Sequence, residues 1–130
     1  MNAGDTFFYK GGSDREHLWI VVSNPDAEQV LIVNFTSFRG GGVYHDPACI
    51  VEKDEHPYLM HRSWIRYEDA MLVPAKGLRE IFRRSLLRRH EPVSEALLAR
   101  IRRGAVESEN VPLKCRQAIL DQGLVDEDDY

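Results

Sequence analysis

The stretch from Leu18 to Phe35 reads LWIVVSNPDAEQVLIVNF, and its reading decides the fold. Two runs rich in β-branched and aromatic residues, LWIVVS (18–23) and QVLIVNF (29–35), flank the turn signal Asn24-Pro25-Asp26. Short apolar runs bounded by turn residues read as buried strands, and so short a connection makes them an antiparallel hairpin. Working outward, Gly4-Asp5 turns the chain into a short strand at Phe7–Tyr9, and Gly11-Gly12-Ser13-Asp14 breaks it. On the other side, Arg39–Gly42 (RGGG) is a flexible loop leading to Tyr44-His45-Asp46-Pro47. Ala48–Val51 has the composition of a short strand and Asp54–Tyr58 that of a turn. Trp64–Tyr67 and Ala70–Val73 again read as strands.

The pattern changes at Pro74. Leu78, Ile81, Phe82 and Leu86 recur at helical spacing, with arginines on the other faces. His90-Glu91-Pro92 interrupts. Ser94 is placed to cap a helix running to Arg103 and ending at Gly104. Asn110 is placed to cap a third helix, with Pro112 in its first turn and Gly123 at its end. The expected class is α+β: a small, strongly curved antiparallel sheet with C-terminal helices packed on or beside it. One domain is expected over 1–130, with a sheet part at 1–73, a helical part at 74–123 and an acidic tail at 124–130.

A chain of 130 residues can bury a core without staples. Its apolar runs are too short to span a bilayer, and its first residues lack the basic and apolar regions of a signal peptide, so a cytoplasmic protein with no membrane partner is expected. Cys49 and Cys115 lie far apart among apolar neighbours and read as free buried thiols. The net charge of −4 conceals segregation: residues 78–104 carry 8 arginines against 3 glutamates, whereas 105–130 carry 2 basic against 7 acidic side chains. An arginine block in an acidic protein suits an anionic partner, such as RNA or an acidic protein segment, and equally suits a solvated helix surface.

Gly4-Asp5, then HLWIVVSN (17–24), then VLIVNFTS (30–37) resemble, in order and spacing, the opening of the MazF/PemK/Kid-type toxins. The resemblance covers about the first third of the chain. It implies a small SH3-like β-barrel and an endoribonuclease that cuts single-stranded RNA without a metal or cofactor. It also implies a cognate antitoxin as partner; Leu86 and Leu87, between the arginines of the helical part, make an amphipathic face that suits a homodimer. The family's catalytic threonine matches Thr36. Its arginine falls on His17, and Leu18 stands where the family prefers proline. Arginine stabilises phosphorane charge, whereas histidine exchanges protons near neutral pH.

Cleavage by internal attack needs a base for the 2′-OH proton, an acid for the leaving 5′-oxygen, and donors for the phosphate oxygens. His17 and His61 are the expected acid–base pair, and Thr36 completes the catalytic set. Ser37, Arg39, His56, Ser63 and Tyr67 are the expected substrate contacts. If 62–67 is extended, His61, Ser63, Ile65 and Tyr67 share one face and make a groove wall, while Arg62, Trp64 and Arg66 share the other. That second face reads either as a base-stacking platform or as core. A non-catalytic barrel binding RNA or a regulatory protein is the alternative to the nuclease. A metal site using His45, Asp46, His56 and His61 is a third reading, with no zinc spacing behind it.

Overall fold

The computed structural model describes residues 1–40 and 42–126. Among the described residues, seven strands and three helices follow in the order β1 (Thr6–Tyr9), β2 (His17–Val21), β3 (Gln29–Ser37), β4 (Ile50–Val51), β5 (Ser63–Ile65), β6 (Met71–Pro74), α1 (Ala75–Arg83), β7 (Arg89–His90), α2 (Glu95–Glu107) and α3 (Leu113–Asp121). All pairings are antiparallel, and the strand order is β4-β5-β3-β2-β1-β7, with β6 also on β3. The hairpin expected at 18–35 is present as β2 and β3, with Trp19 opposite Asn34 and Val21 opposite Ile32.

The nine-residue β3 organises the sheet. Its first half pairs with β6, Gln29 opposite Pro74 through Ile32 opposite Met71. Its second half pairs with β5, Phe35 opposite Ile65 through Ser37 opposite Ser63. A 3-10 turn at Tyr67–Asp69 carries the chain from β5 to β6. Strands β4 and β7 end the sheet without pairing to each other, so the sheet is not closed into a barrel.

The apolar runs of β2 and β3 are continuous because both faces of the sheet are covered. Leu18, Ile20, Leu31, Val33 and Phe35 pack beneath Leu97, Ile101 and Ala105 of α2 and Ile119 of α3. Trp19, Val21, Val30 and Ile32, on the opposite face, pack with Phe7 beneath Ala75, Leu78 and Phe82 of α1.

Several boundaries differ from the sequence reading. Ser94 caps α2 as expected, its hydroxyl accepting from the Leu97 N–H at 3.1 Å. The helix then runs through Gly104 to Glu107. Gly104 is an interior contact point rather than a terminator: a Cβ there would overlap the Tyr67 hydroxyl and come within 3.1 Å of the Ala48 carbonyl. Pro112, not Asn110, occupies the capping position of α3, and Gly123 closes it with φ at +62°. The interruption at His90 proves to be a strand, because β7 returns to pair with β1 from within the helical part. In the expected acidic tail, Leu124 and Val125 pack against the larger core, and 127–130 lie outside the described residues.

Candidate functional site

Strand alternation carries Val30, Ile32, Asn34 and Thr36 onto one face of β3. Val30 and Ile32 lie in the cluster under α1, whereas Asn34 and Thr36 extend past it. The cross-strand partners on this face are Trp19, opposite Asn34, and Trp64, opposite Thr36. Continuing the β2–β3 register sets His17 across from Thr36. The uncovered end of the face is the floor of a cleft of about 480 Å³ lined by His17, Thr36, Ser37, Arg39, His45 and Trp64, among others. Four residues singled out in the sequence, His17, Thr36, Ser37 and Arg39, thus come together from two strand ends and a loop.

The floor holds polar atoms with no hydrogen-bond partner among the described residues. These are Thr36 Oγ1 and Trp64 Nε1, both shielded from solvent; Asn34 Oδ1, also without a partner among the described residues, lies in a neighbouring hollow with His17, Trp19 and Met71. Asn34 is 1% exposed and Trp64 5%. Native proteins pair nearly all such groups, so their gathering at this end of the sheet face marks a surface adapted to something other than its own fold. Trp19, next to them, is satisfied: its indole N–H donates to the Tyr9 carbonyl at 2.9 Å.

Charge is distributed unevenly around the cleft. Arg15 and Arg39 line it, are exposed, and make no ion pair among the described residues. Arg66 is held by Glu68 and by Asp69, the latter at 3.3 Å. The His45 ring lies 4.2 Å from that of Phe38, centroid to centroid, and edge-on to Trp64. Its Nε2 accepts the Arg39 backbone N–H at 2.9 Å, which leaves the proton of the neutral ring on Nδ1. The His17 ring, half-buried, has no hydrogen-bond partner among the described residues.

The remaining expected site residues are elsewhere. Ile65 and Tyr67 point into the larger core, so the face that carries them is not a groove wall; the opposite face, with Trp64 and Arg66, borders the cleft. Tyr67 is fully buried and donates to the Ile101 carbonyl at 2.7 Å. Burial holds its phenol well above the ordinary range, with Cys49 and Asp46 adding to the effect. Ser63 is buried and donates to the His61 carbonyl at 3.0 Å. His56 is buried at 2% exposure, where Nε2–H donates to the Glu91 carbonyl at 2.7 Å and Nδ1 accepts from the Tyr58 N–H at 3.1 Å. These three side chains are tied to backbone groups and hold the fold. His61 is exposed and does not line the cleft.

The metal reading fails on placement too: among the described residues no three His, Cys, Asp or Glu side chains are grouped to hold an ion. Cys49 and Cys115 are free and buried, and burial pushes the Cys49 thiol up to about 11. The arginine block does not form a funnel into the cleft. Arg83 and Arg84 pair with Glu80, Arg88 with Glu16, and Arg89 with Asp5, while Arg79 donates to the Pro25 carbonyl.

Compared with family models, curated proteins and solved structures, the chain matches none. The likeness to MazF/PemK/Kid-type toxins therefore rests on the residues of its first third. Sequence reasoning passed over Asn34, although a lone amide in VLIVNF was the available signal, and it weighed His45 only as a metal ligand. No helix of the described residues is long and apolar enough to cross a membrane.

Proposed function

We propose that the cleft at the ends of β2 and β3 is the active site of a metal-independent endoribonuclease acting on single-stranded RNA. The observation that carries this reading is the convergence of His17, Thr36, Ser37 and Arg39 on one cleft. The resemblance links the two strand ends bearing His17 and Thr36 to RNA cleavage. In this reading the sheet is an opened variant of the family's SH3-like barrel, and an acidic antitoxin segment would compete with RNA for Arg15 and Arg39.

His17 is the proton acceptor. Its imidazole takes the 2′-OH proton, the 2′-oxygen bonds to phosphorus, and the bond from phosphorus to the 5′-oxygen breaks. The leaving oxygen takes a proton from solvent at the exposed rim, and the imidazolium returns its proton to water. The products are a 2′,3′-cyclic phosphate and a 5′-hydroxyl. Thr36 and Ser37 hydroxyls donate to the non-bridging oxygens, and Arg15 and Arg39 offset the charge that builds on them. His45, fixed as its Nδ1–H tautomer, is a further donor. His61, outside the cleft, has no part in the reaction.

The test is incubation of the purified chain with long unstructured RNA in EDTA, with cut positions and end groups mapped. His17→Ala should lower the cutting rate by about 10²–10⁴-fold, and His61→Ala should leave it unchanged. Intact RNA that is nonetheless bound would favour the non-catalytic module, a reading the exchange of the family's arginine for His17 also allows. Loss of cutting in His61→Ala would contradict the placement of the acid–base group.

A further inference from the structure

A second hollow of about 290 Å³ adjoins the cleft, sharing Val43, Tyr44, Trp64 and Arg66 with it and adding Glu68, Asp46 and Asn110. Its walls are aromatic and apolar: Tyr44 is 56% exposed and Val43 51%. Its polar groups divide into those already used and those left over. Asp46 is used, accepting from the Ala48 N–H, the Ser108 hydroxyl and the Asn110 amide. Asn110 gives its two amide protons to the Tyr44 hydroxyl at 2.9 Å and to Asp46 at 3.2 Å, so its carbonyl oxygen remains an acceptor. Glu68 pairs with Arg66 through Oε1, which leaves Oε2 and the remaining lone pairs of a half-exposed carboxylate. The Trp64 indole N–H is desolvated and has no partner among the described residues.

The geometry points to this hollow as a guanine-selective base pocket beside the scissile phosphate, with Glu68 as the specificity-determining residue. The inference rests on the nuclease reading of the adjoining cleft. A carboxylate offers two acceptors side by side, and guanine alone among the four RNA bases presents two adjacent donors, N1–H and N2–H, to meet them. Its O6 and N7 accept from donors such as the Arg66 guanidinium, beside the Trp64 ring. Adenine and cytosine would turn a ring-nitrogen lone pair toward the carboxylate, and uracil would set carbonyl oxygens on both sides of its single N–H. Each mismatch leaves acceptors facing acceptors, which discriminates by repulsion as well as by lost bonds. Tyr44 supplies an exposed ring on which the base can stack.

The experiment is titration of the ¹⁵N-labelled full chain with guanosine 3′-monophosphate, and then with the adenosine, cytidine and uridine 3′-monophosphates. The two indole N–H signals are read and assigned with Trp64→Phe. The Trp64 signal should move and the Trp19 signal, already bonded to Tyr9, should not. The guanosine nucleotide should bind about tenfold or more tightly than the other three, and Glu68→Gln should bring all four to within about twofold. Equal affinity for the four nucleotides, or no movement of the Trp64 signal, would overturn the pocket. Selective binding of the guanosine nucleotide by a chain that cuts no RNA would uphold the pocket and remove the nuclease. A His17-dependent cleavage whose base preference survives Glu68→Gln would do the reverse.

Discussion

Val30 and Ile32 lie beneath α1, whereas Thr36, further along the same face of the same strand, lies beside His17 and Trp64 at the floor of an open cleft. The covered half is apolar; the open half carries polar atoms that the protein itself does not pair. Helix length explains much of the contrast. The nine residues of α1 span about 14 Å, and the nine of β3 span about 30 Å. On the opposite face, α2 and α3 together supply a cover, and Leu31, Val33 and Phe35 are buried along it. The molecule thus spends its apolar residues where a helix lies over the sheet and leaves polar ones where none does.

This contrast can be broken most forcefully in the covered half. Ile32→Ala removes a side chain that is 1% exposed and should cost about 2–5 kcal/mol. Urea denaturation measures it, and a loss well below that range would mean the α1 side is loosely packed.

The covered and open regions also differ in what they do to an imidazole. His56 is held neutral: burial lowers its pKa, partly opposed by its bond to the Glu91 carbonyl, with His90 adding to the lowering. Its ring is packed near Phe35 and His90, and its two nitrogens are matched to the Tyr58 N–H and the Glu91 carbonyl. The unfolded chain takes up the proton at about 6.5, before the folded chain does. Stability from this residue is therefore full above that value and declines as pH falls from it toward the lowered folded value. Unfolding midpoints compared at about pH 7.5 and 5.5 should fall on acidification, and His56→Gln should flatten that dependence. An unchanged slope in the variant would place the acid sensitivity elsewhere.

The smallest effect sharpens the contrast. Thr36→Val replaces an unpaired hydroxyl with a methyl group of similar size. Stability should stay level or rise by up to about 1 kcal/mol, while RNA cutting falls. A destabilised variant with full activity would make Thr36 an element of the fold instead.

The sequence by itself determined the α+β class, the β2–β3 hairpin, the Ser94 cap and the free thiols. Those features are local: turn residues, strand composition and capping act over a few neighbours. It also marked His17 and Thr36, because each ends a legible strand. The tertiary structure alone decided which face of 61–67 enters the larger core. The alternation of that strand was readable, but the choice between Trp64 and Tyr67 as the side facing the larger core depended on α2. Gly104 clears the space for the Tyr67 ring, and the Ile101 carbonyl takes its hydroxyl proton. The same long-range packing buried His56 against Glu91, which lies 35 residues away. It also left the sheet open, since closure depends on whether its two end strands meet, and the two-residue β4 and β7 do not pair.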